Sequence, residues 1–329
     1  MIEPALLTIP TFEDVIIARK RIQPYIHRTP VLTSSYFNHL TGADLFFKCE
    51  NFQKAGAFKV RGASNAVFGL SAEQAKSGVA THSSGNHALS LSYAASRRGI
   101  SATVVMPKTA PEAKKAAVRD YGGQVFECEP STTAREEMLE ELVARTGADF
   151  VHPYNDHRVI AGQATCSLEL LEDIPDLDAI VAPIGGGGMI SGTCLTTANK
   201  SPETSIYAAE PKNADDAHRS FHAGEIIEDD SPQTIADGLK VSLRPRTWHF
   251  VSNYVKDVLL VTEDEIVNAM LLIWQRMKIV VEPSSAVALA AILKNKEIFA
   301  NKRVGVILTG GNVDLNKLPW NKTQSRELS

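Results

Sequence analysis

No stretch of this chain stays apolar for the roughly 20 residues that a bilayer-spanning helix needs, so no membrane segment is expected. Positive charge is not in excess either: 34 Lys and Arg against 38 Asp and Glu leave a formal net charge of −4. Such a balance gives no basic footprint for nucleic acid or for an anionic membrane surface. Residues 1–5 carry no basic run and no cleavage pattern, so no secretory signal is expected. Cysteine is scarce. Cys49, Cys128, Cys166 and Cys194 form no CxxC pair and no cluster with histidine, which predicts reduced thiols in a cytoplasmic enzyme. The nine histidines show no HExxH or other zinc-ligand spacing. Repeats and low-complexity tracts are missing, and the polar residues 321–329 are expected to fray.

What is present has an α/β pattern. Short apolar runs at 45–49, 79–82, 102–106, 124–128, 179–183, 206–209, 258–261 and 304–308 read as strands. Amphipathic stretches such as 88–98, 111–121 and 133–145 lie between several of them. This alternation predicts parallel sheets flanked by helices. At 329 residues two domains are expected. Three strand-helix units in close succession suggest a small α/β domain at 75–151, inserted in a larger one made of 1–74 and 152–329. The run Thr262-Glu263-Asp264-Glu265 reads as a capping box for a helix over 266–278.

Two motifs carry the chemistry. Gly185, Gly186, Gly187 and Gly188 follow the strand 179–183 and precede a helical stretch. Amides without side chains at a helix start form an anion cradle. The run is neither a dinucleotide fingerprint, since the third required glycine falls on Ile190 or Ser191, nor a P-loop, since no Gly-Lys pair occurs. The second motif is Ala55-Gly56-Ala57-Phe58-Lys59. A lysine in an apolar site has a lowered pKa and attacks aldehydes as a free amine. Together the two motifs suit pyridoxal phosphate, with an imine at Lys59 and the phosphate on the glycine amides. Ser83-Ser84-Gly85-Asn86-His87 opens a predicted helix and offers a carboxylate site or a plain N-cap. Thr309 closes the strand 304–308 and can give a ring nitrogen one uncharged hydrogen bond. Glu210, Asp215 and Asp216 gather carboxylates that suit a hard divalent cation or form a solvated loop.

The ordered set of 47–54, 58–63, 83–87, 160–163, 185–188, 235–238, 282–284 and 309–315 resembles the serine racemase and serine/threonine dehydratase family. These are two-domain fold type II pyridoxal-phosphate enzymes, like the tryptophan synthase β chain. The resemblance runs from about Thr11 to about Leu315 and is greatest to the racemase branch, whose metal loop is similar to 209–216. It implies Lys59 as the imine-forming lysine and base on one face of the α-carbon, with Ser84 as the proton-exchanging group on the other. Phe58 would pack on the pyridine ring, Asn86 bond its 3-hydroxyl, and Thr309 stand near its nitrogen. Ser83, Ser84, Asn86 and His87 would receive the substrate, with Arg135 near its distal end. Glu210, Asp216 and the carbonyl of Ala214 would bind Mg²⁺, or Ca²⁺ or Mn²⁺. Ser34, Ser35, Lys114 and Tyr121 match a nucleotide site between subunits, which implies ATP as activator and a homodimer. A regulatory domain of the kind usual in biosynthetic threonine dehydratases is not expected.

Three positions depart from the pattern. Val241 stands where animal racemases have serine, Leu89 replaces a glutamine of the nucleotide site, and Ala164 replaces a glycine. The expected activity is interconversion of L- and D-serine, with β-elimination of serine or threonine to a 2-oxo acid and ammonia. Its rival is a dehydratase for threonine, serine or L-threo-3-hydroxyaspartate, which Arg135 would suit. A binding protein without catalysis on the same scaffold is disfavoured by the presence of both Lys59 and Ser84.

Overall fold

The computed structural model describes residues 8–229 and 231–320, so the readings on 1–5 and 321–329 lie outside the described residues. The strands are β1 (Val31–Thr33), β2 (Asp44–Cys49), β3 (Val79–His82), β4 (Ala102–Pro107), β5 (Gly123–Cys128), β6 (Asp149–Phe150), β7 (Ala179–Pro183), β8 (Ser205–Pro211), β9 (Val255–Val261) and β10 (Arg303–Leu308). They form a six-stranded sheet in the order β1-β2-β10-β7-β8-β9 and a four-stranded sheet in the order β5-β4-β3-β6. All pairings are parallel except β1 with β2. The sheets are thus the parallel, helix-flanked ones expected, with one antiparallel edge strand added. β1 and β6 have three and two residues and are too short to show a period in sequence.

The β7 run Ala-Ile-Val-Ala-Pro is buried throughout because helices cover both faces of its sheet. Val181 enters one core while its neighbours Ile180 and Ala182 enter the other. The period of two within an all-apolar strand is thus real but invisible in composition. Thr262 and Glu265 form the predicted capping box, and their helix runs Glu263–Met277. No helix among the described residues is long and apolar enough to cross a membrane.

Close backbone crossings fix the helix that begins at Lys59. A Cβ on Gly62 would stand 2.7 Å from Val159 O, and one on Gly162 would stand 2.5 Å from Arg61 O. Helices Lys59–Gly69 and His157–Asp173 therefore meet through glycine. Farther along, a Cβ on Gly192 would lie 2.6 Å from the amide nitrogen of Ala164, so Ala164 sits in a second tight crossing. Arg61 locks the first helix electrostatically. Its fully buried guanidinium makes 2.7–2.8 Å bonds to Glu50 and Glu169, and Lys48 makes a 2.7 Å bond to Glu169. Removing one member of such a cluster leaves a buried unpaired charge, which costs about 3–5 kcal/mol.

Candidate active site

The segments at 83–87, 185–188 and 309–312 each leave the carboxyl end of a parallel strand, where open α/β sheets place ligands. Beyond β10, the Thr309 carbonyl accepts the Phe58 N–H at 3.0 Å, and Gly311 N–H donates to Gly56 O at 2.9 Å. An isolated bridge between Ala57 and Gly310 completes this stitch. Phe58, Lys59 and Thr309, far apart in the chain, are thereby held side by side. Ala55 adopts φ +54° just ahead of them, a left-handed turn that reverses the chain toward the helix.

The Lys59 Nζ donates to Pro153 O at 2.8 Å and lies 5.1 Å from the centre of the Phe58 ring. Burial drives its pKa down to about 8, against the nearby Glu282 charge, which holds it up. Much more free amine is thus available near neutral pH than an exposed lysine offers. The residue after Pro153 is Tyr154, whose ring walls the glycine loop: a Cβ on Gly186 would stand 2.5 Å from it. The Tyr154 hydroxyl donates to Ser242 O at 3.0 Å. On the other side a Cβ on Gly185 would come within 2.8 Å of the Leu239 backbone. Gly187 takes φ +84° and caps the helix Gly188–Lys200. The N–H groups of Gly185, Gly186, Gly187 and Gly188 find no acceptor among the described residues. Beside them the buried amide of Gln163 also lacks a partner. Unpaired buried donors are costly, and a phosphate group would satisfy several at once. The loop, the free amine and the Phe58 face therefore fit pyridoxal phosphate.

Asn86 and His87 belong to the first turn of the helix Asn86–Arg98, which begins two residues earlier than the sequence pattern suggests. The N–H groups of Asn86, His87 and Ala88 are unpaired among the described residues, and Ser83 and Ser84 stand half-buried before them. Such unpaired N–H groups at a helix start are suited to an anion. The His87 ring is engaged elsewhere. Its Nε2 faces Val151 O at 3.1 Å and so carries the hydrogen, which leaves a buried Nδ1 with no partner. Burial and the Lys59 charge bring its pKa down to about 3, so the ring is neutral and only the His87 backbone can serve an anion.

The Asn86 side chain is committed on both ends: Nδ2 donates to Glu282 at 2.8 Å and Oδ1 accepts from Asn312 at 2.9 Å. Glu282 is buried and also accepts the Asn312 N–H, and burial pushes its pKa up to about 8. Glu282 and Asn312 lie in the family-like segments 282–284 and 309–315, yet they meet Asn86 across 196 and 226 residues with no local signal. The same holds for Tyr154. Arg135 lies on the helix Thr132–Thr146, and its charge helps lower the pKa of His82, which burial chiefly sets at about 4.

Glu210, near the end of β8, and Asp216, at the start of the helix Asp216–Ala223, lie within electrostatic reach of each other. Glu210 accepts from the N–H groups of Ala217 and His218 at 2.9 and 2.8 Å, and Ala214 N–H bonds Pro211 O at 3.0 Å. Asp216 has a buried Oδ2 with no partner. Burial and the charge of Asp216 raise the Glu210 pKa well above the carboxylate range. Asp215 instead pairs with Arg219 at 2.7 Å. Among the described residues no group of three or more His, Cys, Asp or Glu could hold a metal. A cation here would use two carboxylates and a carbonyl, with water completing its shell.

The four nucleotide-site residues are not gathered by any contact among the described residues. Ser34 and Ser35 line a cavity of about 410 Å³ with Tyr36 and Arg276. Lys114 pairs with Asp237, and Tyr121 stacks edge-on with Tyr93 at 5.9 Å.

Known proteins place this arrangement. Residues 22–310 match the family described as pyridoxal-phosphate dependent enzyme. The chain is 66% identical over 313 residues to the β-hydroxyaspartate dehydratase of Paracoccus denitrificans, covering 95% of this chain and 99% of that one. It is 49% identical to the serine racemase of Dictyostelium discoideum, whose crystal structure superposes with a TM-score of 0.90 over 93% of this chain and 99% of that one. A crystal structure of a pyridoxal 5'-phosphate-dependent aspartate racemase, 40% identical, gives a TM-score of 0.89 over 94% and 98% of the two chains. The chain belongs to the pyridoxal-phosphate dependent enzymes, and within them to the serine racemase and serine/threonine dehydratase family. The higher identity to the dehydratase favours the elimination alternative over serine racemisation as main activity.

Proposed function

We propose that this protein is a dehydratase of 3-hydroxyaspartate that yields oxaloacetate and ammonia. The observation that carries the reading is the 66% identity across 99% of the β-hydroxyaspartate dehydratase. Arg135 supports it, since a cation whose field reaches His82 in the cleft suits a substrate with a second carboxylate.

Bound pyridoxal phosphate supplies an aldehyde for the substrate amine and a ring that stabilises charge at the α-carbon. The chain's own residues do the rest. The amides of Gly185, Gly186, Gly187 and Gly188 hold the phosphate, and the Phe58 ring walls the site. The free Lys59 amine removes the α-proton. The bond to the β-hydroxyl then breaks, so that the substrate loses one water in all. The four-carbon enamine released takes up water, and ammonia leaves to give oxaloacetate. The backbone of residues 86–88 orients the α-carboxylate, and the Asn86–Glu282–Asn312 chain keeps that helix start in place.

Serine racemisation is the second reading, supported by Ser84 at the same helix start and by the racemase identity. Glu210, Asp216 and the Ala214 carbonyl fit Mg²⁺ or Ca²⁺, supported by the unpartnered Asp216 oxygen. A homodimer, with ATP held near Ser34 and Ser35, completes the reading. The test is product analysis on the four stereoisomers of 3-hydroxyaspartate, on L-serine and on L-threonine. One hydroxyaspartate isomer should give oxaloacetate with the highest kcat/KM. Faster formation of D-serine from L-serine would put the racemase reading first, and Ser84→Ala should then abolish D-serine while pyruvate formation continues.

A further inference from the structure

Resting on the 3-hydroxyaspartate reading, we infer that Arg244, anchored beside the wall of the glycine loop, is the specificity-determining residue for the substrate's distal carboxylate. Arg244 lies outside the family-like segments and carries no local sequence signal. It is the N-cap of the helix Pro245–Tyr254, and its backbone is fixed from both sides by Thr247: the Arg244 N–H donates to Thr247 Oγ1 at 3.1 Å and the hydroxyl donates back at 3.0 Å. Thr247 and Leu243 in turn press on the glycine loop, each 2.8 Å from a Cβ placed on Gly187. The side chain therefore starts from a rigid point next to the expected phosphate.

Its surroundings lead back to the reacting centre. Pro153, which accepts from Lys59, precedes Tyr154, and the Tyr154 hydroxyl bonds the carbonyl of Ser242, two residues before Arg244. Against the cost of burial, Tyr154 and Glu228 act electrostatically on the Arg244 guanidinium and hold its pKa above the ordinary value. His82 and His152 face each other at 5.9 Å, and the Arg244 charge reaches both. A dicarboxylic amino acid brings two negative charges to this cleft. The imidazoles cannot meet them: burial holds His82 at about 4 and His87 at about 3, and places His152 well below its ordinary value. Lys59 is taken up with the α-carbon. Arg135 and Arg244 are then the fixed cations whose fields meet at His82.

Arg244 already has a partner. Its Nη1 lies 2.7 Å from Glu228, with the two side chains 37% and 53% exposed. Such an open pair is weakly held, and Glu228 acts as a stand-in that an incoming carboxylate displaces. A guanidinium accepts that exchange well, because its fork can give a carboxylate two parallel hydrogen bonds.

The test compares wild type, Arg244→Gln and Arg244→Lys as holoenzymes. The ratio of kcat/KM for 3-hydroxyaspartate over L-serine should fall about 30-fold in Arg244→Gln, mainly through KM, as expected for a lost charge-assisted bond. Arg244→Lys should recover part of it. Independently, succinate, which has both carboxylates and no amine, should raise the Tm of wild type more than that of Arg244→Gln. An unchanged ratio together with equal succinate protection overturns the assignment, as does an equal loss on both substrates. The two readings fail separately. Should wild type ignore every 3-hydroxyaspartate isomer while succinate protection still requires Arg244, the substrate is wrong and the carboxylate site stands. Turnover of 3-hydroxyaspartate that is indifferent to Arg244 leaves the substrate and removes the site.

Discussion

Around the glycine loop at 185–188, Tyr154, Leu239, Leu243, Thr247 and Gln163 stand so close that a Cβ on any of the four glycines would come within 2.5–2.8 Å of a neighbour. Around Gly85, in the turn at 83–87, a Cβ would meet nothing within 4 Å. Both segments present unpaired N–H groups at a helix start, yet one is packed shut and the other is open. In the proposed enzyme the difference matches residence time. A phosphate kept over many turnovers suits fixed walls and preset amides, whereas a carboxylate that arrives and leaves each cycle needs room. Glycine in the first case is demanded by close packing, and in the second by access to the backbone.

Four experiments would break or sharpen this contrast, beginning with the largest effect. Lys59→Ala should cost at least about a thousandfold in every α-carbon reaction, because a positioned base is lost with the amine. Borohydride treatment of the wild type should fix the cofactor to a peptide containing Lys59, and attachment elsewhere would remove that residue from its role. Next is Gly186→Ala, whose new methyl falls on the Tyr154 ring; it should cost about 1–3 kcal/mol of stability and lower cofactor content, read by absorbance and thermal melting. A variant that keeps full cofactor and an unshifted Tm would mean the loop yields. Exhaustive chelation should then lower Tm by a few degrees and activity with it, since a ligand of the folded state alone stabilises by mass action. No change in either would leave Glu210 and Asp216 without a cation. The smallest effect belongs to Gly85→Ala, which should stay within about 1 kcal/mol of wild type and keep its cofactor. A loss comparable with Gly186→Ala would show that the open turn is as constrained as the closed one.

The histidines add a pH signature to the same cleft. His82 and His87 have folded pKa values near 4 and 3, below the unfolded value near 6.5. The unfolded chain therefore binds more protons in between, so their contribution to stability is complete above 6.5 and is lost as pH falls through the folded values. Their ring proton resonances should stay those of neutral imidazole down to about pH 5, and titration near 6.5 in NMR would contradict the burial argument.

Local chemistry alone made part of this protein legible. Eight strands follow from apolar runs, and the capping box at Thr262 follows from hydrogen bonds that close within four residues. The glycine loop and Lys59 stand out because their residue types limit what the backbone and amine can do. Tertiary structure decided the rest. β1 and β6 are too short for a pattern and exist only as partners of longer strands. The tautomer of His87 is set by Val151 O, and the lowered pKa of Lys59 by burial. The joining of Asn86 to Glu282 and of Tyr154 to Ser242 depends on chain segments far apart in sequence. Periodicity and propensity report on neighbours along the chain. Desolvation and Coulomb coupling depend on neighbours in space, and only the packed fold supplies those.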